Sequence, residues 1–161
     1  MKNITLKSFD KIIILILGII GSLTGCSLIN PPMAEYGTPH ADYEIKGTVT
    51  DSITASPIQN ARIIITQNHS YLNGGQTLIH INTLAIKQTD SAGKYDILVG
   101  SFPLEEVSFQ LKVDDTDGSV NGGEFVSQAK EVLFLRSELT GGKSWYSGKA
   151  AKTIDIKLKK K

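Results

Sequence analysis

Strict alternation of apolar and polar side chains is the feature that most limits what this chain can become. Tyr43, Ile45, Gly47 and Val49 alternate with Glu44, Lys46, Thr48 and Thr50. Val107, Phe109, Leu111 and Val113 alternate with Ser108, Gln110, Lys112 and Asp114, and Ile154, Ile156 and Leu158 with Asp155, Lys157 and Lys159. A period of two sends one set of side chains into a core and the other into water, which is the signature of a strand. The β-branched runs 62–67 and 83–89 also read as strands, as do 95–99 and 131–136. Clusters of Gly, Asn, Asp and Ser between them supply turns, and no window carries a helical stripe. About seven short strands over residues 43–161 predict an all-β domain, an antiparallel β-sandwich, with no second domain beside it.

Residues 1–25 are of another kind. Lys2, Lys7 and Lys11 precede a nine-residue apolar run from Ile12 to Ile20. A membrane span needs about 20 apolar residues, so this run suits the apolar centre of a secretory signal. It leads to Leu23-Thr24-Gly25-Cys26, which resembles the lipobox of bacterial lipoproteins. That resemblance implies cleavage before Cys26, acylation of its thiol and a membrane anchor made of lipid. Ser27 in place of Asp at the next position implies the outer membrane, on either face. The expected organisation is a signal peptide at 1–25, the lipidated Cys and an extended tether at 26–42, and the sandwich at 43–161. Pro31 and Pro32 favour extended backbone in the tether.

Composition removes several function classes. The chain has 17 Lys+Arg against 16 Asp+Glu, and loss of 1–25 takes away three Lys and one Asp, turning the formal charge from +1 to −1. Neither value gives the basic surface of a nucleic-acid binder. One Cys excludes an intramolecular disulfide framework, a Cys-based zinc site and an iron–sulfur cluster. As a thioether anchor, Cys26 also leaves no thiol for catalysis.

Three local patterns point to a family. They are Gly47-Thr48-Val49-Thr50-Asp51, then Pro57-Ile58-Gln59-Asn60-Ala61-Arg62-Ile63, then Thr89-Asp90-Ser91-Ala92-Gly93-Lys94-Tyr95. In the last, Asp90 is placed to cap a tight turn and Gly93 to take a positive φ. In this order they resemble the carboxypeptidase regulatory-like (transthyretin-like) β-sandwich, with Ser56 where that pattern has Gly before the Pro. A narrower likeness rests on the lipobox, on Tyr36-Gly37-Thr38-Pro39-His40-Ala41-Asp42-Tyr43, and on Asp115-Thr116-Asp117-Gly118-Ser119-Val120-Asn121-Gly122-Gly123-Glu124-Phe125. Together with a sandwich of this length, these resemble the radical-SAM-associated lipoproteins of Bacteroidetes. The resemblance implies a radical SAM protein as partner, with the chain acting either as a binding or scaffolding module or as a substrate of modification. It implies no reaction carried out by this chain.

Residues able to carry chemistry are sparse. Asp115, Asp117, Asn121 and Glu124 lie in a Gly-rich loop that also holds Asp114. Hard cations prefer such oxygen-rich, flexible loops, so these four are candidates for a weak Ca²⁺ site. The alternative is a solvated turn whose Asp and Asn side chains bond the local backbone. No EF-hand register fits, because Gln128 falls where a bidentate Glu is required. His40, His69 and His80 are 29 and 11 residues apart and form no ligand doublet in sequence. His80 reads as a surface or edge residue. There is no Gly-x-Ser-x-Gly elbow, and the adjacent Glu105 and Glu106 would face opposite sides of a strand. The reading is therefore non-enzymatic and, apart from Ca²⁺, without cofactor.

Trp145 and Tyr146 sit between Gly142 and Gly148. Either they close one end of the sandwich, or they stack on a glycan or a partner. With Tyr36, His40 and Tyr43 they are the candidate contact residues; the alternative for Tyr36 and Tyr43 is to hold the tether against the first strand. Lys157, Lys159, Lys160 and Lys161 either protect an edge strand or touch anionic headgroups. Nothing in the pattern sets an oligomeric state.

Overall fold

The computed structural model describes residues 37–161 and, before them, Ile13 alone. Apart from Ile13, the expected signal peptide lies outside the described residues, as do Cys26, Tyr36 and most of the expected tether. Among the described residues, no helix is long and apolar enough to cross a membrane.

Among the described residues nine strands follow one another: β1 His40–Asp51, β2 Arg62–Asn73, β3 Gln76–Gln88, β4 Lys94–Ser101, β5 Glu106–Asp114, β6 Gln128–Leu135, β7 Thr140–Lys143, β8 Tyr146–Thr153 and β9 Ile156–Leu158. One sheet has the order β4-β1-β8-β7, with β9 also on β1; the other has the order β3-β2-β5-β6. The alternation decides which faces meet. Tyr43, Ile45 and Val49 of β1 are buried with Ile97 and Val99 of β4, and they share one core with Ile63 and Ile65 of β2 and Phe109 and Leu111 of β5. At its centre the rings of Tyr43, Phe109 and Phe134 lie 5.1 to 6.0 Å apart in tilted and edge-on pairs that join the two sheets. Each such pair contributes about 0.5–1.5 kcal/mol beyond its buried area.

The structure is the expected all-β sandwich, built of mostly antiparallel sheets; it has nine strands where about seven were expected, and two of its pairings are parallel. β1 pairs antiparallel with β4 and parallel with both β8 and β9. β7 and β8 carry no apolar alternation to reveal them, since the two buried positions of β8 are Gly148 and Ala150. A Cβ on Gly148 would come within 2.3 Å of the Thr140 carbonyl oxygen, so bulk is excluded there. β1 also starts three residues before the expected boundary, and Ala41 is fully buried.

Along one edge of β1 the chain passes from β8 to β9 through Ile154 and Asp155. The Ile154 amide donates to the Lys46 carbonyl at 2.7 Å, and the Asp155 carboxylate accepts from the Thr48 amide at 2.9 Å. Gly47 makes room for this passage: a Cβ there would lie 2.0 Å from the Ile154 carbonyl oxygen. That oxygen accepts from the Tyr95 hydroxyl at 2.5 Å. The tight turn at 89–95 has the expected capping chemistry, but it joins β3 of one sheet to β4 of the other and is not the hairpin expected from the sequence. Asp90 Oδ1 accepts from the amides of Ala92 and Lys94 at 2.9 and 2.8 Å, and Gly93 has φ 69.

β2 and β3 run well past the sandwich. β2 pairs with β5 only over 62–66 but with β3 from Arg62 to Asn73. The outer stretches 68–73 and 76–83 are exposed throughout. Gly74 and Gly75, at φ 57 and 82, close this ribbon with the two left-handed residues that a type I′ turn requires. The sequence reading ended these strands at 67 and 83; polar and apolar residues mix on both faces of the arm, so no buried face marks it.

The aromatic core includes a buried polar atom. The Tyr43 hydroxyl is buried without a hydrogen-bond partner among the described residues, and burial pushes its pKa up, with the Arg136 charge opposing. Tyr43→Phe is therefore expected to raise the midpoint of chemical unfolding, by about 1 kcal/mol, while Phe109→Ala lowers it by about 3–5 kcal/mol. Urea melts of the two variants check both signs, and a destabilised Tyr43→Phe protein would mean that the hydroxyl has a partner.

Candidate functional site

The start of β1 assembles most of the candidate contact residues. His40, Asp42 and Glu44 alternate outward on β1, and β8 runs beside them, with His40 opposite Tyr146 and Asp42 opposite Lys149 across a bulge. Lys143 and Tyr146 pair across the two-residue loop Ser144-Trp145, in which Ser144 takes φ 57. The His40 amide donates to the Trp145 carbonyl at 3.0 Å, which fastens this loop to β1. The His40 and Tyr146 rings then lie 5.2 Å apart at 41°. The Tyr146 hydroxyl donates to Asp42 Oδ2 at 3.1 Å.

The polar row continues along β1. Lys149 Nζ donates to Glu44 Oε1 at 2.9 Å, and Lys46 Nζ to Glu44 Oε2 at 3.3 Å. The Lys149 hydrogen bond leads in holding the Glu44 carboxyl below its usual range, and the same bond raises Lys149. Partial burial raises the Tyr146 phenol, with the Asp42 contact adding to it. At the tip of the row the Trp145 side chain is 45% exposed. This arrangement offers a flat apolar face for stacking, flanked by fixed hydrogen-bonding groups. His40 Nδ1 lies 3.4 Å from the Thr38 carbonyl oxygen.

The fold thus brings together His40, Trp145 and Tyr146 and separates Tyr43 from them. Tyr43 is a correction: at 1% exposure it belongs to the core, because the alternation that turns Asp42 and Glu44 outward turns Tyr43 inward. Closure of the sandwich by Trp145 is a second correction, since the indole stands on a hairpin tip outside the buried cluster. Asp42 was missed because the alternation was read from residue 43; buried Ala41 was the signal that the strand begins earlier.

The acidic loop is bound up with its own backbone. Asp115 accepts from the Asp117 amide at 3.2 Å and from the Phe125 amide at 2.9 Å. Asn121 Nδ2 donates to Asp117 Oδ2, and Glu124 Oε1 pairs with Lys161 Nζ at 2.5 Å. Asp114, buried at the end of β5, pairs with Arg62 at 3.2 Å and Lys112 at 3.0 Å. Among the described residues no three His, Cys, Asp or Glu side chains converge as a metal site. The basic end is likewise tied in, with Lys160 Nζ 3.7 Å from Asp51 and the Lys161 amide donating to the Glu124 carbonyl at 2.9 Å. A cleft of about 510 Å³, lined by Lys46, Thr48, Lys87, Lys94, Asp96 and Asp155, opens elsewhere; Lys87 Nζ spans it to the Asp96 carbonyl at 2.6 Å. No sequence signal marked it, because its lining alternates in sign.

No family model matches the sequence, and no curated protein matches it. Solved structures do resemble the fold at low identity. The C-terminal domain of the shaft pilin SpaA from Lactobacillus rhamnosus GG aligns with 12% identity and a TM-score of 0.39, over 74% of this chain and 98% of that one. The pilus 2b backbone protein of group B streptococcus gives 15% identity and a TM-score of 0.41 over 73% of this chain and 40% of its own. An (S)-allantoin synthase gives 8% and 0.40 over 74% and 42%. This chain spans less than half the length of the last two.

The Tyr146 contact is directly testable. Asp42→Asn should lower the Tyr146 pKa toward the ordinary value, read as the difference in 295 nm absorbance titration between proteins with and without Tyr146→Phe. A phenol whose folded pKa is raised adds stability that is complete below its unfolded pKa, about 10, and is lost as pH rises through the folded value. The alkaline decline in stability should accordingly begin near the same pH in Asp42→Asn but end at a lower pH and be smaller. An unchanged titration would detach Tyr146 from Asp42.

Proposed function

We propose that this chain is a non-enzymatic envelope lipoprotein, anchored through Cys26, whose sandwich serves as a binding or scaffolding module for a radical SAM partner system. The observation that carries the binding reading is the half-exposed Trp145 on a loop braced by His40, Tyr146 and Asp42. An exposed indole costs hydration in the free protein and returns it on contact, and such aromatic residues on rigid supports are where interfaces concentrate their energy. The anchor rests on the sequence Leu23-Thr24-Gly25-Cys26. At about 0.8 kcal/mol per buried CH₂, two or three acyl chains hold a domain at the membrane without further contact.

Two measurements test the two halves. Palmitate labelling and intact mass of the chain expressed in a lipoprotein-processing host should show cleavage at Cys26 with added lipid, and Cys26→Ser should abolish both. For the module, the lipidated chain is purified with and without a co-expressed candidate radical SAM protein from the same organism. Equal masses after allowance for lipid, together with co-purification that Trp145→Ala weakens about tenfold or more, are expected. A mass increment in the presence of the radical SAM protein would replace the module reading with that of a modification substrate. Glycan-array binding lost in Trp145→Ala would make the partner a sugar.

A further inference from the structure

The hairpin arm brings together two residues that are far apart in sequence. His69 and His80 are direct partners across β2 and β3, in a register that runs unbroken from the turn through Asn73 with Gln76, Tyr71 with Leu78 and on to Asn68 with Ile81. The only irregularity in that pairing lies further down, between Ile65 and Thr66. Residues directly opposite on antiparallel strands project from one face with their Cβ atoms about 4.5–5.5 Å apart. Both imidazoles are on exposed residues, beyond the region where β5 covers β2.

A first-row divalent ion takes imidazole nitrogens at about 2.0–2.1 Å, so two of them on one ion stand roughly 3 Å apart. Rings rising side by side from neighbouring Cβ atoms meet that spacing by leaning together, with no movement of the backbone. We infer that His69 and His80 form a two-imidazole surface site for a divalent transition-metal ion. Imidazole pairs follow the order in which Cu²⁺ binds more tightly than Ni²⁺ or Zn²⁺, so Cu²⁺ is the preferred occupant. The remaining coordination positions face water, since no third His, Cys, Asp or Glu among the described residues joins them; a small donor ligand from outside has room there. The ion would also clamp the two strands of the arm, because an isolated two-stranded ribbon is only marginally stable in water and a ligand that binds only the paired form stabilises it.

The test uses the full chain in detergent, titrated with CuCl₂, NiCl₂ and ZnCl₂ by calorimetry and, for copper, by electron paramagnetic resonance. His69→Asn, His80→Asn and His40→Asn are compared with the parent protein; all three positions are exposed. The expected result is one saturable Cu²⁺ per chain with two nitrogen ligands, weakened on the order of tenfold or more in each of the first two variants and unchanged in the third, with Ni²⁺ and Zn²⁺ weaker. Absence of saturable Cu²⁺ binding would overturn the inference. So would affinity retained in either His69→Asn or His80→Asn, or affinity lost in His40→Asn.

Discussion

Everything in this sandwich depends on β1 being paired along both edges. β4 takes one edge in the antiparallel sense, and β8 and then β9 take the other in the parallel sense. Parallel neighbours cannot be joined by a tight turn, so the strands that complete this sheet come from the far end of the sequence. The switch from β8 to β9 happens over Gly47, where the missing side chain lets Ile154 approach and Asp155 cap the amide left free at Thr48. Ile156 and Leu158 of β9, the last strand in the sequence, join the same core. Contacts of such long sequence separation are the ones that slow folding.

Legibility in the sequence followed burial. Strands with one wet and one dry face announced themselves, as around Tyr43, Phe109 and Ile156, and so did the Asp90 and Gly93 turn, whose chemistry is local even though it connects two sheets and closes no hairpin. β8 was hidden because its inward residues are Gly148 and Ala150, forced small by close backbone, and small residues make no alternation. The arm was hidden for the opposite reason: both its faces meet water, so nothing selects a pattern. Its turn was nevertheless written in Gly74-Gly75, and reflection about that pair places position 69 against position 80. Linear spacing concealed the histidine pair because the relevant distance runs across a hairpin and not along a strand. The inward turn of Tyr43 was implicit in the same alternation that identified β1.

Polar residues here divide into two uses. Asp115, Asp90 and Asp155 bind backbone amides and hold loops in place, and Asp114 balances Arg62 and Lys112 at the edge of the core. Their oxygens are engaged by the protein itself. The row of His40, Asp42, Tyr146, Glu44 and Lys149 is instead laid out on an outer face, where its mutual contacts fix geometry and leave the adjoining indole open. Rigid polar support beside an exposed aromatic ring is what distinguishes this end of the sheet from the turns at the other.

The two-sided pairing of β1 also fixes how the domain would bear load. Residues before His40 connect to the leading end of that strand, so tension from that side pulls along the strand axis. The ladders to β4, β8 and β9 lie perpendicular to this pull and would have to break together, in shear, before β1 slid free. A terminal hairpin strand peeled from its turn would give way one bond at a time. Loaded in that direction, β1 is held by all of its ladders at once.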